Sequence, residues 1–130
     1  KVRQVLDYAV SVIPSEKILM GIPNYGYDWT LPFVRGSAAR PISNVEALRI
    51  AERVGAQIQF DQEAQSPFFS YYDAEGREHV VWFEDARSIE AKLLVVDEYN
   101  LGGISYWNAN NNFPQNWLVL NSMYDVEKVL

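Results

Sequence analysis

Few side chains in this 130-residue sequence are equipped for covalent or metal chemistry. Cysteine is absent and histidine occurs once, at His79. A disulfide framework and a thiolate nucleophile are therefore excluded, and a zinc site or a histidine-based triad would have to be built around a single imidazole. No metal and no cofactor is expected. What the composition does offer is flat rings: four tryptophans and eight tyrosines, with aromatics at 14% of the chain. "NYGYDW" carries Tyr25, Tyr27, Asp28 and Trp29, and the apolar run "GGISYW" ends on Trp107 before the polar stretch "NANNN". A tryptophan at that place either plugs a core or offers an apolar face with a polar edge to a visiting ligand.

The composition narrows the class of ligand. With 17 acidic against 11 basic residues the net charge is −6, so the basic face that phosphate recognition requires is not expected, and neither is a nucleic-acid partner. No apolar run approaches about 18 residues, so no membrane-spanning helix is expected. With 48% apolar residues the chain can form a core of one domain's size. It begins at Lys1 without a signal peptide, which reads as an internal piece of a longer polypeptide.

The elements that must position the rings follow from periodicity. Residues 2–13 repeat apolar side chains at helical spacing until Pro14. "KILMGIPNYGYDW" reads as a strand starting near Lys17 and buried on both faces, as in a parallel sheet. "SNVE" matches a capping box opening a helix with Ala47, Ile50, Ala51 and Val54 on its buried stripe and Gly55 at its stop. "QIQFD" and the two runs flanking "DAEG" predict strands, the latter pair a hairpin. Asp85 is a candidate N-cap for a helix buried through Ala86, Ile89, Leu93 and Val96. "GGISYW" is a strand, "FPQNWLVLNSM" a final helix with Pro114 in its first turn, and residues 124–130 fit either a short strand or helical continuation.

Without its middle part, residues 30–84, the chain reads helix, strand, helix, strand, helix. This is the α/β pattern, with right-handed crossovers between parallel strands. Gly103, Ser105 and Trp107 share one face of their strand; Leu19, Gly21, Pro23 and Tyr25 share one face of the other. Small residues followed by an aromatic suit the interior and mouth of a closed parallel barrel. A flat doubly wound sheet with Trp107 in the core satisfies the same pattern.

The paired runs "KILMGIPNYGYDW" and "SIEAKLLVVDEYNLGGISYW" resemble the seventh and eighth strand regions of family-18 glycoside hydrolases, the chitinase-like (β/α)8 barrels. The segment between them resembles the α+β chitinase insertion domain, and "FPQNW" is similar to the spore-envelope branch in which peptidoglycan-binding LysM repeats often precede the barrel. The resemblance implies an α/β fold, a C-terminal fragment of a TIM barrel: helix and seventh-strand region at 1–29, insertion at 30–84, and last helices and eighth strand at 85–130. It implies a parent glycosidase that hydrolyses β-linked N-acetylhexosamine polymers, chitin or peptidoglycan, with retention and with the substrate's own N-acetyl group as nucleophile.

By the same resemblance Trp107 matches the tryptophan that floors the reacting sugar's subsite. Tyr25 matches an aromatic lining the cleft beside it, and Tyr27, Asp28 and Trp29 fall on a following loop that contacts sugar. Tyr27 stands where chitinases often carry arginine, so a contact needing that charge is in doubt. The family's D-x-x-D-x-D-x-E motif, whose Glu protonates the leaving oxygen, has no match. The Asp-x-Glu pairs at Asp61/Glu63, Asp73/Glu75 and Asp125/Glu127 lack the preceding strand and upstream aspartates. Glu84 and Asp85 are adjacent, and neighbours on one chain do not readily flank a sugar from opposite sides; Asp85 reads mainly as a cap and Asn108 as a turn residue.

The fragment alone is thus expected to be inactive, to bind a polysaccharide or oligosaccharide, to act outside the cytoplasm, in the cell envelope or in a spore envelope, and to self-associate through unpaired strand edges. A non-catalytic, lectin-like carbohydrate-binding module fits the same residues, as does an α/β fragment with no ligand.

Overall fold

The computed structural model describes residues 1–128. Helix α1 (Val2–Val12) is followed by a 3-10 turn (Ser15–Lys17) and strand β1 (Leu19–Pro23). The middle part comprises β2 (Gly26–Thr30), β3 (Arg40–Ile42), α2 (Asn44–Val54), β4 (Gln59–Asp61), β5 (Ser66–Tyr72) and β6 (Glu78–Trp82). The chain then returns through α3 (Ala86–Glu98), β7 (Gly103–Trp107) and α4 (Pro114–Met123). The described part of residues 124–130 is neither helix nor strand, and the last two lie outside the described residues.

Two sheets result. β1 and β7 pair in parallel, Leu19 opposite Gly103 and Pro23 opposite Trp107, so both strands end at the same level. The other sheet is antiparallel, in the order β3-β2-β6-β5-β4. The expected alternation of faces holds in the parallel pair: Met20 and Ile22 pack with Val96, Leu101, Ile104 and Tyr106 under α3. β1 departs from the expected two-sided burial, because Leu19 and Gly21 are exposed on its other face. Gly102 sets the approach of β7. A Cβ there would meet the carbonyl oxygen of Glu16 at 2.0 Å, whereas its N–H reaches the carbonyls of Ser15 and Ile18 at 3.1 and 3.0 Å.

The expectation of one strand continuing into a sugar-contacting loop is corrected here. Tyr27, Asp28 and Trp29 lie on β2, between β3 and β6 of the antiparallel sheet. The apolar run is continuous in sequence, but the chain changes sheets at Asn24 and Tyr25. The strands that pair with β2 are distant in sequence, so local periodicity carries no trace of the switch.

The middle part closes on itself. Helix α2 lies on one face of the sheet and buries Ala47, Ile50 and Ala51 against Ile42, Phe69, Val81 and Phe83. Its start shows one half of the expected capping box: the Ser43 hydroxyl accepts from the Glu46 N–H at 3.1 Å, while the Glu46 carboxylate pairs with Arg40 at 3.6 Å. Its end is the left-handed Gly55, φ 65°. At α3 the Asp85 carboxylate accepts from the Ser88 N–H and the Ser88 hydroxyl accepts from the Asp85 N–H, a reciprocal box. Helices α3 and α4 share a third cluster around Ile89, Leu93 and Phe113.

Candidate functional site

The C-terminal ends of β1 and β7 meet the middle part at a pocket of about 320 Å³. From β7 comes Trp107, which is 75% exposed, so it joins no core among the described residues. The peptide bond after it is cis. Tyr25, one residue before β2, and Tyr27 within it form the facing side. Their rings meet edge-on at 5.5 Å, the geometry favoured by aromatic quadrupoles. The ladder continues away from the pocket, Tyr27 to Trp29 at 6.2 Å and Trp29 to Phe33 at 6.1 Å. This follows from alternation on a strand, which puts Tyr27 and Trp29 on the same face.

Asp28 does not join them. It points to the opposite face, is 4% exposed, and is held inside the sheet unit. Its carboxylate accepts from the Tyr71 hydroxyl at 2.9 Å and from Arg40 at 3.2 Å, and lies 2.8 Å from His79 Nδ1. The other imidazole nitrogen lies 3.2 Å from Asp73. Burial and the bond to Asp28 push the Tyr71 phenol up to about 12. Burial would raise the Asp73 carboxyl too, but the Arg77 N–H and guanidinium and the His79 ring outweigh it and hold it well below the usual carboxylate range. The single histidine is thus spent in a structural network.

Other carboxylates are also committed. Glu84 is 6% exposed and bonds Lys92 at 2.7 Å; burial raises its carboxyl above the ordinary value, against the pull of the ammonium. Asp85 caps α3 and pairs with Arg87 at 2.7 Å. Neither lines the pocket. No group of three or more metal-ligating side chains occurs among the described residues. A larger hollow of about 840 Å³ lies between α1, α3 and the β4–β5 turn, but no ring lines it.

Sequence reasoning missed part of the pocket. Pro41, Ile42 and Ser43 line it, because β3 is a three-residue strand containing proline and gives no periodic signal. Asn108 and Asn111 line it as well. Asn108 serves as the expected turn residue through Oδ1, which accepts from the Asn110 N–H at 3.1 Å. Asn111 bonds Asn24, with Nδ2 donating to its carbonyl at 3.0 Å. The pocket therefore combines an exposed indole, two tyrosines and convergent amide groups, the lining suited to a ligand with apolar faces and a hydroxylated or amidated rim.

Comparison with known proteins yields a consistent picture. Residues 2–112 match the model for glycosyl hydrolases family 18. The chain is 54% identical over 128 residues to the cortical fragment-lytic enzyme of Bacillus subtilis, covering 98% of this chain and 30% of that protein. It superimposes on the spore cortex-lytic enzyme SleL of Bacillus megaterium with a TM-score of 0.94 at 50% identity, covering 99% of this chain and 30% of that one. A chitinase from Chromobacterium violaceum gives a TM-score of 0.81 at 37% identity, over 89% and 35% of the two chains. The chain thus spans about 30% of the length of the first relatives it matches.

Proposed function

This chain belongs to glycosyl hydrolase family 18, and we propose that it supplies the aromatic floor and one wall of a saccharide cleft in a glycosidase acting on β-linked N-acetylhexosamine polymers. The observation that carries the reading is the exposed indole of Trp107 lining one pocket with Tyr25 and Tyr27 at the ends of two parallel strands. A pyranose has one face of axial C–H groups and an equatorial belt of hydroxyls. The indole takes the first, and the phenols and asparagine amides at the rim take the second. The spore cortex-lytic relative favours peptidoglycan over chitin as the polymer and the cell or spore envelope as the place of action.

In this reading β1 and β7 are neighbouring strands of a (β/α)8 barrel. The unit from β2 to β6 is an insertion on the side where barrel sites are built, and its ringed strand forms the cleft wall. Trp107 and Tyr25 border the reacting sugar, and Tyr27 and Trp29 extend the contact along the polymer. Asp28 acts from behind that wall, holding it through Tyr71, Arg40 and His79. The proton for the leaving oxygen comes from a carboxylic acid on another strand, since none of the Asp-x-Glu pairs lines the pocket; the 130 residues alone then bind without hydrolysing.

Trp107→Ala in the full-length protein carrying this chain tests the reading. With about 2 kcal/mol typical of a well-packed aromatic anchor, affinity for a β-linked N-acetylglucosamine tetramer falls roughly thirty-fold, and turnover of cortex peptidoglycan falls with it. Unchanged affinity and turnover would sink it. A second reading, a non-catalytic binding module, rests on the same rings and needs no carboxylate in the pocket lining. Binding without turnover by the full-length protein selects it.

A further inference from the structure

The pocket's two sides come from segments far apart in sequence, and one buried side chain joins them. Asn24 is 2% exposed and sits where the chain leaves β1 for β2. Its N–H donates to the Trp107 carbonyl at 3.2 Å. Its Nδ2 donates to the carbonyls of Asn111 and Asn108 at 2.5 and 3.3 Å, and its own carbonyl accepts from Asn111 Nδ2 at 3.0 Å. On its other side, Asn24 Oδ1 accepts a long contact of 3.5 Å from Asn44 Nδ2. Asn44, 1% exposed, is the first residue of α2, and its Oδ1 accepts from the Glu84 N–H at 2.9 Å.

Apart from Glu84, the residues in this chain of bonds either line the pocket, as Trp107, Asn108 and Asn111 do, or stand next to a residue that does. Asn24 precedes Tyr25, Asn44 follows Ser43, and the carbonyls it holds belong to the loop that begins at Trp107. A buried amide is kept only where its donors and acceptors are used, and here the uses converge on the parts that must stay in register for a ring to be gripped. Resting on the saccharide reading above, we infer that Asn24 is a positioning residue for that ligand, with Asn44 behind it. It fixes the post-β7 loop, and with it the indole, against the Tyr25–Tyr27 wall. Neither amide lines the pocket, so both act through Trp107 and its loop.

Asn24→Asp tests this in the full-length protein, because it keeps the shape but turns both Nδ2 donors into an acceptor facing two carbonyl oxygens. Affinity for the N-acetylglucosamine tetramer should fall roughly five-fold or more in the wild-type background and less than about two-fold on top of Trp107→Ala, the non-additivity expected of groups acting as one unit. Hydrogen exchange at residues 108–112 should rise in the absence of ligand. Asn44→Asp, which keeps the bond to Glu84 and loses only the long contact, should follow in the same direction with a smaller effect, and serves if the first variant folds poorly. Ile50→Val in the α2 core provides a control that lowers Tm without changing affinity.

Equal losses with and without Trp107 would overturn the inference, as would a lowered Tm with unchanged affinity in the Asn24→Asp protein. If Trp107→Ala itself leaves affinity intact, the saccharide reading fails first and is recognised by that single variant.

Discussion

The antiparallel unit and the parallel pair answer the same question, how to cover an apolar sheet face, in opposite ways. In the antiparallel unit α2 covers one face completely: Phe69 and Val81 are 0% exposed and Ile50 1%. Its five strands each find a partner within 60 residues of sequence. The parallel pair has two strands about 80 residues apart and one covered face. On the other, Leu19 is 60% exposed, and the neighbouring α1 leaves Val5 and Tyr8 at 67% and 71%. A closed core makes the first unit a scaffold, whereas the second leaves apolar surface of the kind that marks an interaction face. The pocket lies on the seam, where one region supplies rigidity and the other the open end of a strand.

The sharpest way to break this contrast is to remove a buried ring on one side and an exposed apolar group on the other. Phe69→Ala should cost about 3–5 kcal/mol, the range for deleting an enclosed phenylalanine, and should abolish the cooperative unfolding of the antiparallel unit in a denaturant titration. In the 130 residues alone Leu19→Ser should change the same transition by less than about 0.5 kcal/mol, as for a surface position; in the full-length protein, where the proposed barrel encloses that face, it should cost more. Similar losses for both would mean that the open face is covered in solution, for instance by the edge-to-edge self-association expected of unpaired strands, and sedimentation of the Leu19→Ser protein would then show the smaller species.

What the sequence disclosed divides along the same seam. Signals written within one turn of chain were legible: Ser43 and Asp85 as caps, Gly55 as a stop and "DAEG" as a hairpin turn; alternation put Trp107 on one face of its strand but left open whether that face is covered. Signals that depend on distant partners were not. Asp28 reads locally as a polar residue between two rings, and its burial follows from Arg40, Tyr71 and His79 arriving from three other strands. Asn24 looks like an ordinary turn residue, yet its bonds run to positions more than 80 residues away. Of the expected site, Tyr25, Tyr27 and Trp107 come together, Trp29 extends the row, and Asp28 stands behind it.

A smaller effect compares the two legible caps. Ser43→Ala removes a hydroxyl that accepts one N–H and should cost about 1 kcal/mol. Asp85→Ala removes half of a reciprocal box and the Arg87 pair, and it should cost as much or somewhat more, up to about 2 kcal/mol. If the units unfold separately, followed by hydrogen exchange along the chain, Ser43→Ala should weaken protection only in the antiparallel unit. Asp85→Ala should weaken it in α3 and in the strands packed under α3. Loss of protection throughout, for either variant, would show that the seam transmits unfolding and that the two regions form one cooperative block.

Two tyrosines allow the comparison to be made by pH alone. Tyr71 in the antiparallel unit donates to Asp28, and Tyr124 beyond α4 donates to Asp97 at 2.6 Å. Burial first, and then these bonds, push both phenols up from 10.0 to about 12. Above pH 10 the unfolded chain ionises these phenols while the folded chain keeps them protonated. The folded state then binds more protons, so stability present below pH 10 is lost as pH rises towards 12. Tyr71→Phe should lower stability slightly at neutral pH, by about 1 kcal/mol for the lost hydrogen bond, and flatten the alkaline decline of the antiparallel unit. Tyr124→Phe should do the same for the α3–α4 side. If either variant flattens the decline in both regions, the two phenols report one unfolding event, and the division between scaffold and open pair is a difference of exposure without a difference of stability.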